Sequence, residues 1–359
     1  MNAADTRMAP RELLKGVLAG REPASTVVDW AKLSIEEPAD LLALLPGEVP
    51  FATSGSTGPP EVWLRGRGQL VAETVALARS LADTEPDAFV IHAPLHHLYG
   101  MLFGALLPAL LGRPAYYTRT IDPLPRQHGR LLLVAVPSSW WRLDRSPTEL
   151  ARHKNLVVTH STGRLPAAAR RVRERLPNIG LFDVHGSTET GMVGTRVDER
   201  HDWTLAPDVS LADPAPPGRQ TLMAVRSPRL ARRAAAGFPA EHILDDVVEM
   251  VTDRTYRLVG RGGKTVNING RRADLRVIET ALQAAVPAAS PVCLLVDDPV
   301  RGEWYEVRAH GGPGEVQAVE EAAIRLLPSW QAPRAIRAAP PPAARQRPPV
   351  PLNPNPCER

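Results

Sequence analysis

Two runs of small hydroxyl and glycine residues are where this chain could first do chemistry. In Thr53-Ser54-Gly55-Ser56-Thr57-Gly58-Pro59 the backbone can curl until several N–H groups converge on one point. With the hydroxyls as further donors, such a run can cradle phosphate oxygens. No Gly-Lys-Ser/Thr follows, so it is not a Walker-type loop. The second run, His185-Gly186-Ser187-Thr188-Glu189-Thr190-Gly191, adds one carboxylate. A single carboxylate among hydroxyls suits Mg²⁺ beside a nucleotide phosphate, because Mg²⁺ takes one or two carboxylates together with phosphate oxygens. Taken singly, the first run reads equally well as a polar loop between strand and helix, and the second reads better as a surface turn with a solvated Glu.

The elements that would position these runs follow from the spacing of apolar residues. Residues 10–20 and 37–46 have helical spacing, as does Gly68 to Leu81, where Leu70, Val71, Thr74, Leu77 and Leu81 share a face. AFVIHAPLHHLYG is a β-rich run ending in a turn, followed by an apolar helix from Met101 to Leu111. LLLVAV (131–136) reads as a buried strand, and NLVVTHSTG (155–163) as a strand running into a Gly turn. A charged helix follows Pro166, and NIGLFDVHGSTETG is a third strand-to-loop unit. Strands alternating with helices predict an α/β fold with a mostly parallel sheet. Ligands bind such sheets at the carboxyl ends of the strands, where the loops 53–58, 159–163 and 185–191 fall.

From about Asp202 the pattern becomes turn-rich, with short strands near 221–226, 247–251 and 256–259. After GRGGK (260–264) come a helix near 276–285, strands near 292–296 and 304–309, and a helix near 315–326, a small α+β unit. The expected organisation is a core over 1–260, a small mobile α+β domain over 261–338, and a Pro-rich disordered tail over 339–359.

Composition excludes several classes. Two cysteines, Cys293 and Cys357, make neither a disulfide framework nor a cysteine zinc site. The longest apolar stretch, around Met101 to Leu111, is too short to span a bilayer. The first residues lack the apolar core of a signal peptide, so the expected location is the cytoplasm, with no membrane partner. A net charge of +4, spread along the chain, favours anionic partners such as nucleotides or phosphopantetheine carriers over nucleic acid. Only four of the 43 basic residues are lysines: Lys15, Lys32, Lys154 and Lys264.

The order TSGSTGPP, HHLYG, HSTGRLP, VHGSTETG, DDVVEM…YRLVGR, VNINGRR resembles the adenylate-forming superfamily of acyl-CoA synthetases, aryl-CoA ligases and peptide-synthetase adenylation domains. The resemblance spans about residues 50 to 335 and is strongest to compact natural-product-type members, with the N-terminal portion shortened. It implies an AMP-forming ligase in secondary metabolism. A carboxylic acid and ATP would give an acyl-adenylate, and the acyl group would pass to a thiol of CoA or an acyl carrier protein. Thr53, Ser54, Gly55, Ser56, Thr57 and Gly58 would grip the β- and γ-phosphates. His97 would line and gate the acyl pocket, with Ser161 and Met192 at its border. Gly163 and Arg164 would stack the adenine, beside His185, Gly186 and Ser187. Thr188 would contact the α-phosphate and Glu189 would hold Mg²⁺. Asp246, with Asp245 as an off-by-one alternative, would bind the ribose, and Arg261 at the domain junction would lie near it. Arg272 would be structural, and Gly262-Gly263 would be the hinge.

Three positions depart from the family pattern. Glu61 replaces the Lys that ends the phosphate loop, Gly263 replaces a hinge Asp or Lys, and the C-terminal Gly-Lys pair that drives adenylation is missing. An Arg near that place (Arg345 or Arg347) could substitute, Lys264 could be recruited, or adenylation could be slow or lost. Two other functions are therefore carried: an adenylating enzyme with an amine acceptor, amide-forming or nitrite-activating in the manner of a diazotase, and a non-catalytic nucleotide-binding homologue.

Overall fold

The computed structural model describes residues 6–53, 61–118, 120, 124–125, 128–161, 165–213, 216–261, 265–268, 271–298, 302–310 and 312–339. The chain divides into two compact units, Met1–Leu275 with Val296–Trp304, and Arg276–Leu295 with Tyr305–Arg359.

The first unit is an α/β structure built on a thirteen-stranded sheet. At its centre Ala115–Tyr117, Ala88–Ile91, Leu131–Val134, Leu156–His160 and Gly180–Ser187 run parallel in that spatial order. Their composition follows from burial on both faces. In Leu131–Val134, Leu132 and Val134 enter one apolar cluster while Leu131 and Leu133 enter the other. Phe89 and Ile91 part from Ala88 and Val90 in the same way. With side chains alternating across a sheet covered on both sides, every position must be apolar, hence the unbroken runs. Beyond Gly180–Ser187 the sheet turns antiparallel, through Gly191–Arg196, Trp203–Leu205, Thr255–Arg261, His242–Met250, Gln220–Arg226 and Ser210–Leu211.

The segment after the first hydroxyl-rich run differs from expectation. Glu61–Gly66 is a strand, not the approach to a helix; it pairs with Glu48–Thr53 in register from Glu48↔Gly66 to Thr53↔Glu61. Residues 54–60, between these two strands in sequence, lie outside the described residues. The helix Arg67–Ser80 follows directly and buries Leu70, Val71, Thr74 and Leu77, as the spacing predicts, together with Glu73.

The helical stretch from Leu98 to Leu111 contains a π-type turn over Leu102–Leu106. Pro108 has no N–H to give to the Gly104 carbonyl four residues earlier. The Tyr117 hydroxyl donates to that carbonyl instead, at 2.5 Å, and accepts from Trp30 Nε1 at 3.1 Å. The second unit holds the helices Arg276–Ala285, continuing from Leu275, and Pro313–Leu326, and a parallel pair that aligns Val307 with Ile336.

Candidate active site

At the carboxyl ends of the central strands lies a cavity of about 970 Å³. Apolar walls come from Leu98, Leu102, Phe103 and Val184, and polar ones from Ser187, Thr188 and Glu189. Its size and mixed lining suit a small-molecule site.

The loop 187–190 is held by its own hydroxyls. Ser187 N donates to Thr190 Oγ1 at 3.1 Å, and Thr190 N donates to Ser187 Oγ at 3.2 Å. That closed turn leaves Thr188 and Glu189 on the cavity wall. Gly186 is required by space: a Cβ there would come within 2.1 Å of the Gly191 carbonyl oxygen on the paired strand.

Behind the loop is a buried charge cluster that the sequence reading missed. Arg65 and Arg229 are 0% exposed and Glu73 is 1%. Arg65 donates to Glu73 and, at 2.9 Å, to the Thr188 carbonyl. The Met192 N–H donates to Glu73 at 2.7 Å, and Arg229 donates to the Met192 carbonyl at 2.8 Å and to both oxygens of Asp208. Glu73 on the apolar stripe of its helix was the available signal, since an acid is almost never fully buried unless paired.

On the neighbouring strands His185 joins Tyr256 and Asp246. Its Nδ1 lies 2.7 Å from the Tyr256 hydroxyl and its Nε2 lies 3.3 Å from Asp246 Oδ2. A carboxylate only accepts, so Nε2 carries the proton and Nδ1 accepts from Tyr256. Burial, then the charges of Asp246 and Asp183, push the Tyr256 hydroxyl well above its usual range and keep it a donor. Arg261 stands opposite Asp246 in the strand register. Beneath His185, burial raises the Asp183 carboxyl to about 6 although Arg196 donates to it at 2.8 Å.

His97 precedes the Leu98–Met101 helix and lines the cavity. Burial, with His96 next, lowers its imidazole to about 4, so it is neutral at pH 7. Gly100, three residues on, allows close packing: a Cβ there would lie 1.9 Å from the Pro94 carbonyl oxygen. Glu22, also on the wall, accepts from the N–H groups of Leu95 and His96 and from the His96 ring. Burial opposes its ionisation, but those hydrogen bonds hold it below the usual carboxylate range.

Of the expected site residues, the cavity gathers His97, Ser161, Gly186, Ser187, Thr188, Glu189 and Met192. His185 and Asp246 meet each other outside its lining. Thr53, Asp245, Arg261 and Arg272 belong to strands, and their side chains lie outside the described residues. So do Ser54 to Gly58, Gly163, Arg164, Gly262 to Lys264, Arg345 and Arg347. Glu61 pairs with Arg233 at 3.1 Å, which offsets the acid at the position where a Lys was expected. Among the described residues no group of three or more His, Cys, Asp or Glu could hold a metal ion, and no helix is long and apolar enough to cross a membrane. Glu189 alone therefore fits Mg²⁺ only with phosphate oxygens completing its shell.

Residues 49–218 match the AMP-binding enzyme family model. The chain is similar to a 4-coumarate–CoA ligase of Halorhodospira halophila, 31% identical over 163 residues, which are 44% of this chain and 39% of that one. A 4-coumarate–CoA ligase of Rhodobacter capsulatus is 32% identical over 245 residues, 65% of this chain and 57% of the relative. The chain thus spans between 39% and 57% of the length of these two relatives. Among solved structures, the amide bond synthetase McbA from Marinactinospora thermotolerans shares the fold at a TM-score of 0.63 and 19% identity, over 82% of this chain and 65% of that one.

Proposed function

We propose that this protein activates a carboxylic acid with ATP and passes the acyl group to a thiol of CoA or a carrier protein, in the cytoplasm and in secondary metabolism. The observation that carries the reading is the placement of Thr188 and Glu189 on the wall of an apolar-sided cavity. The two relatives named as CoA ligases support the thiol acceptor.

In the first half-reaction a carboxylate oxygen attacks the α-phosphorus, the bond to the bridging oxygen breaks, and pyrophosphate leaves. Thr188 donates to the α-phosphate in this reading, and the hydroxyls of 53–58 hold the outer phosphates. Mg²⁺, when bound at Glu189, supplies charge neutralisation. Asp246, steadied by His185, accepts from the ribose hydroxyls, with Arg261 beside it; Gly163 and Arg164 take the adenine. Lys264 or Arg347 supplies the cation that the missing C-terminal Lys would give. The thiolate then attacks the acyl carbonyl and AMP leaves. In this reading 261–338 is the small mobile domain, hinged at Gly262-Gly263, which glycine tolerates.

The test is acid-dependent pyrophosphate release across a panel of carboxylic acids, with thiol and amine acceptors supplied separately. Release that needs an acid and ends in a thioester supports the reading. An amide product would assign the acceptor to the amine class, and ATP binding without release for any acid would leave a nucleotide-binding homologue.

A further inference from the structure

Among the described residues, the cavity wall carries one charged group that neither the adenylation reading nor a hydrogen bond or ion pair engages. Among the described residues that line it, the acids are Glu22, Glu73 and Glu189, and the one permanent cation is Arg142. Glu22 is engaged by Leu95, His96 and its ring, and Glu73 by Arg65 and Met192. No hydrogen bond or ion pair engages the Arg142 guanidinium among the described residues, although the side chain is only half-buried and lines the cavity.

Arg142 sits on the Pro137–Asp144 helix, one turn beyond Ser138, which lines the same wall. The neighbouring His92 is already spent. Its Nε2 lies 3.2 Å from the Thr120 carbonyl and must donate, so its Nδ1 accepts from the Ser139 hydroxyl at 2.9 Å. Burial, and then Arg142, lower its imidazole to about 4, so it is uncharged. A positive charge with no partner among the described residues, in a wall that also carries the hydroxyls of Ser138 and Thr118, the latter accepting from the Thr120 N–H at 3.1 Å, is suited to an oxyanion.

Its position fixes which end of a ligand it meets. The helix follows the Leu131–Val134 strand, while Thr188 and Glu189 follow Gly180–Ser187, with Leu156–His160 between them. Two strand spacings separate the two loops, about 10 Å. Leu98, Leu102, Phe103 and Val184 give the cavity its apolar wall.

We propose that Arg142, with Ser138 and Thr118, binds a second anionic group at the far end of the acid, so that the substrate class is carboxylic acids with an apolar body and a distal carboxylate. This rests on the adenylation reading and names the substrate of that same cavity.

The test compares adipate, suberate and sebacate with hexanoate, octanoate and decanoate, in pyrophosphate release and in calorimetric binding, for the wild type, Arg142→Gln and Arg142→Lys. A charge-assisted contact predicts that at least one dicarboxylate binds about ten- to a hundred-fold more tightly than the monoacid of its length. Arg142→Gln should erase that ratio and Arg142→Lys should keep part of it. Equal affinity for the paired acids in the wild type, or a ratio that survives Arg142→Gln, overturns the proposal while leaving acid activation standing. A further arm titrates pantetheine and 4′-phosphopantetheine; if Arg142→Gln weakens only the phosphorylated thiol, the anion belongs to the acceptor and the proposal is wrong. If no acid of either kind binds or releases pyrophosphate, the adenylation reading itself has failed and the substrate assignment falls with it.

Discussion

His185 Nε2 lies 3.3 Å from Asp246 Oδ2, although 61 residues separate them in sequence. The same imidazole accepts from Tyr256 on its other side, at 2.7 Å. The tyrosine therefore sets the tautomer, and the tautomer aims a donor at the carboxylate. A carboxylate held in this way keeps its remaining lone pairs in one orientation for a ligand's hydroxyls.

Asp246→Asn is expected to raise the KM for ATP about ten- to a hundred-fold, the worth of hydrogen bonds to a charged group. Tyr256→Phe removes one neutral donor and should raise it only several-fold, with kcat little changed. Steady-state kinetics at varied ATP reads both. An unchanged KM in Asp246→Asn would refute the ribose assignment.

Glu189→Gln should lower pyrophosphate release by about a hundred-fold or more, the scale of losing one preorganised electrostatic group. The Mg²⁺ concentration giving half-maximal rate should rise as well. Turnover equal to the wild type would remove Glu189 from the metal site.

Arg347→Ala and Lys264→Ala, made separately, separate the two candidates for the missing cation. The one that serves adenylation should slow acid-dependent pyrophosphate release and leave ATP binding measurable. If neither variant slows release, both candidates fall.

Glu73→Gln leaves two fully buried guanidinium groups without their shared carboxylate. Breaking a buried pair of this kind costs about 3–5 kcal/mol, far more than a surface pair. Urea denaturation should show a loss of that order, and Glu73→Asp should recover part of it. Because Arg65 also holds the Thr188 carbonyl, turnover should fall in the refolded variant.

His92 makes folding sensitive to acid. In the unfolded chain its imidazole takes up a proton near its ordinary value of 6.5, whereas in the folded protein burial delays protonation to about 4. Its contribution is therefore full above about 6.5 and is lost as the pH falls toward 4, amounting to about 3 kcal/mol. Asp183, raised to about 6, works in the opposite sense over much of that window. Denaturant melts at pH 7 and pH 5 should show a smaller drop for His92→Gln than for the wild type; equal drops would contradict the assignment.

Much of this architecture was legible in the order of the residues. The apolar runs at 88–91, 131–134 and 156–158 had to be strands covered on both faces, and the stripe Leu70, Val71, Thr74 and Leu77 had to be a helix face. The run 185–191 marked a loop at the sheet's carboxyl edge, where Thr188 and Glu189 line the cavity, whereas the strands on either side of 54–60 belong to a separate three-stranded sheet. Such features are local: burial acts on which side of an element a residue faces, and periodicity records that directly.

The hairpin of Glu48–Thr53 with Glu61–Gly66 escaped because Pro59, Pro60 and Glu61 read as a break, and strand pairing depends on a partner rather than on the strand's own pattern. Nor could spacing join Arg65 to Arg229, 164 residues away, or His185 to Tyr256, 71 away. Periodicity in the sequence by itself determined the central strands, the helix that follows Arg67 and the loop that carries Thr188 and Glu189. Only the tertiary structure decided which buried charges meet, because a buried ion is tolerable only beside its partner, and chain topology alone sets who that partner is.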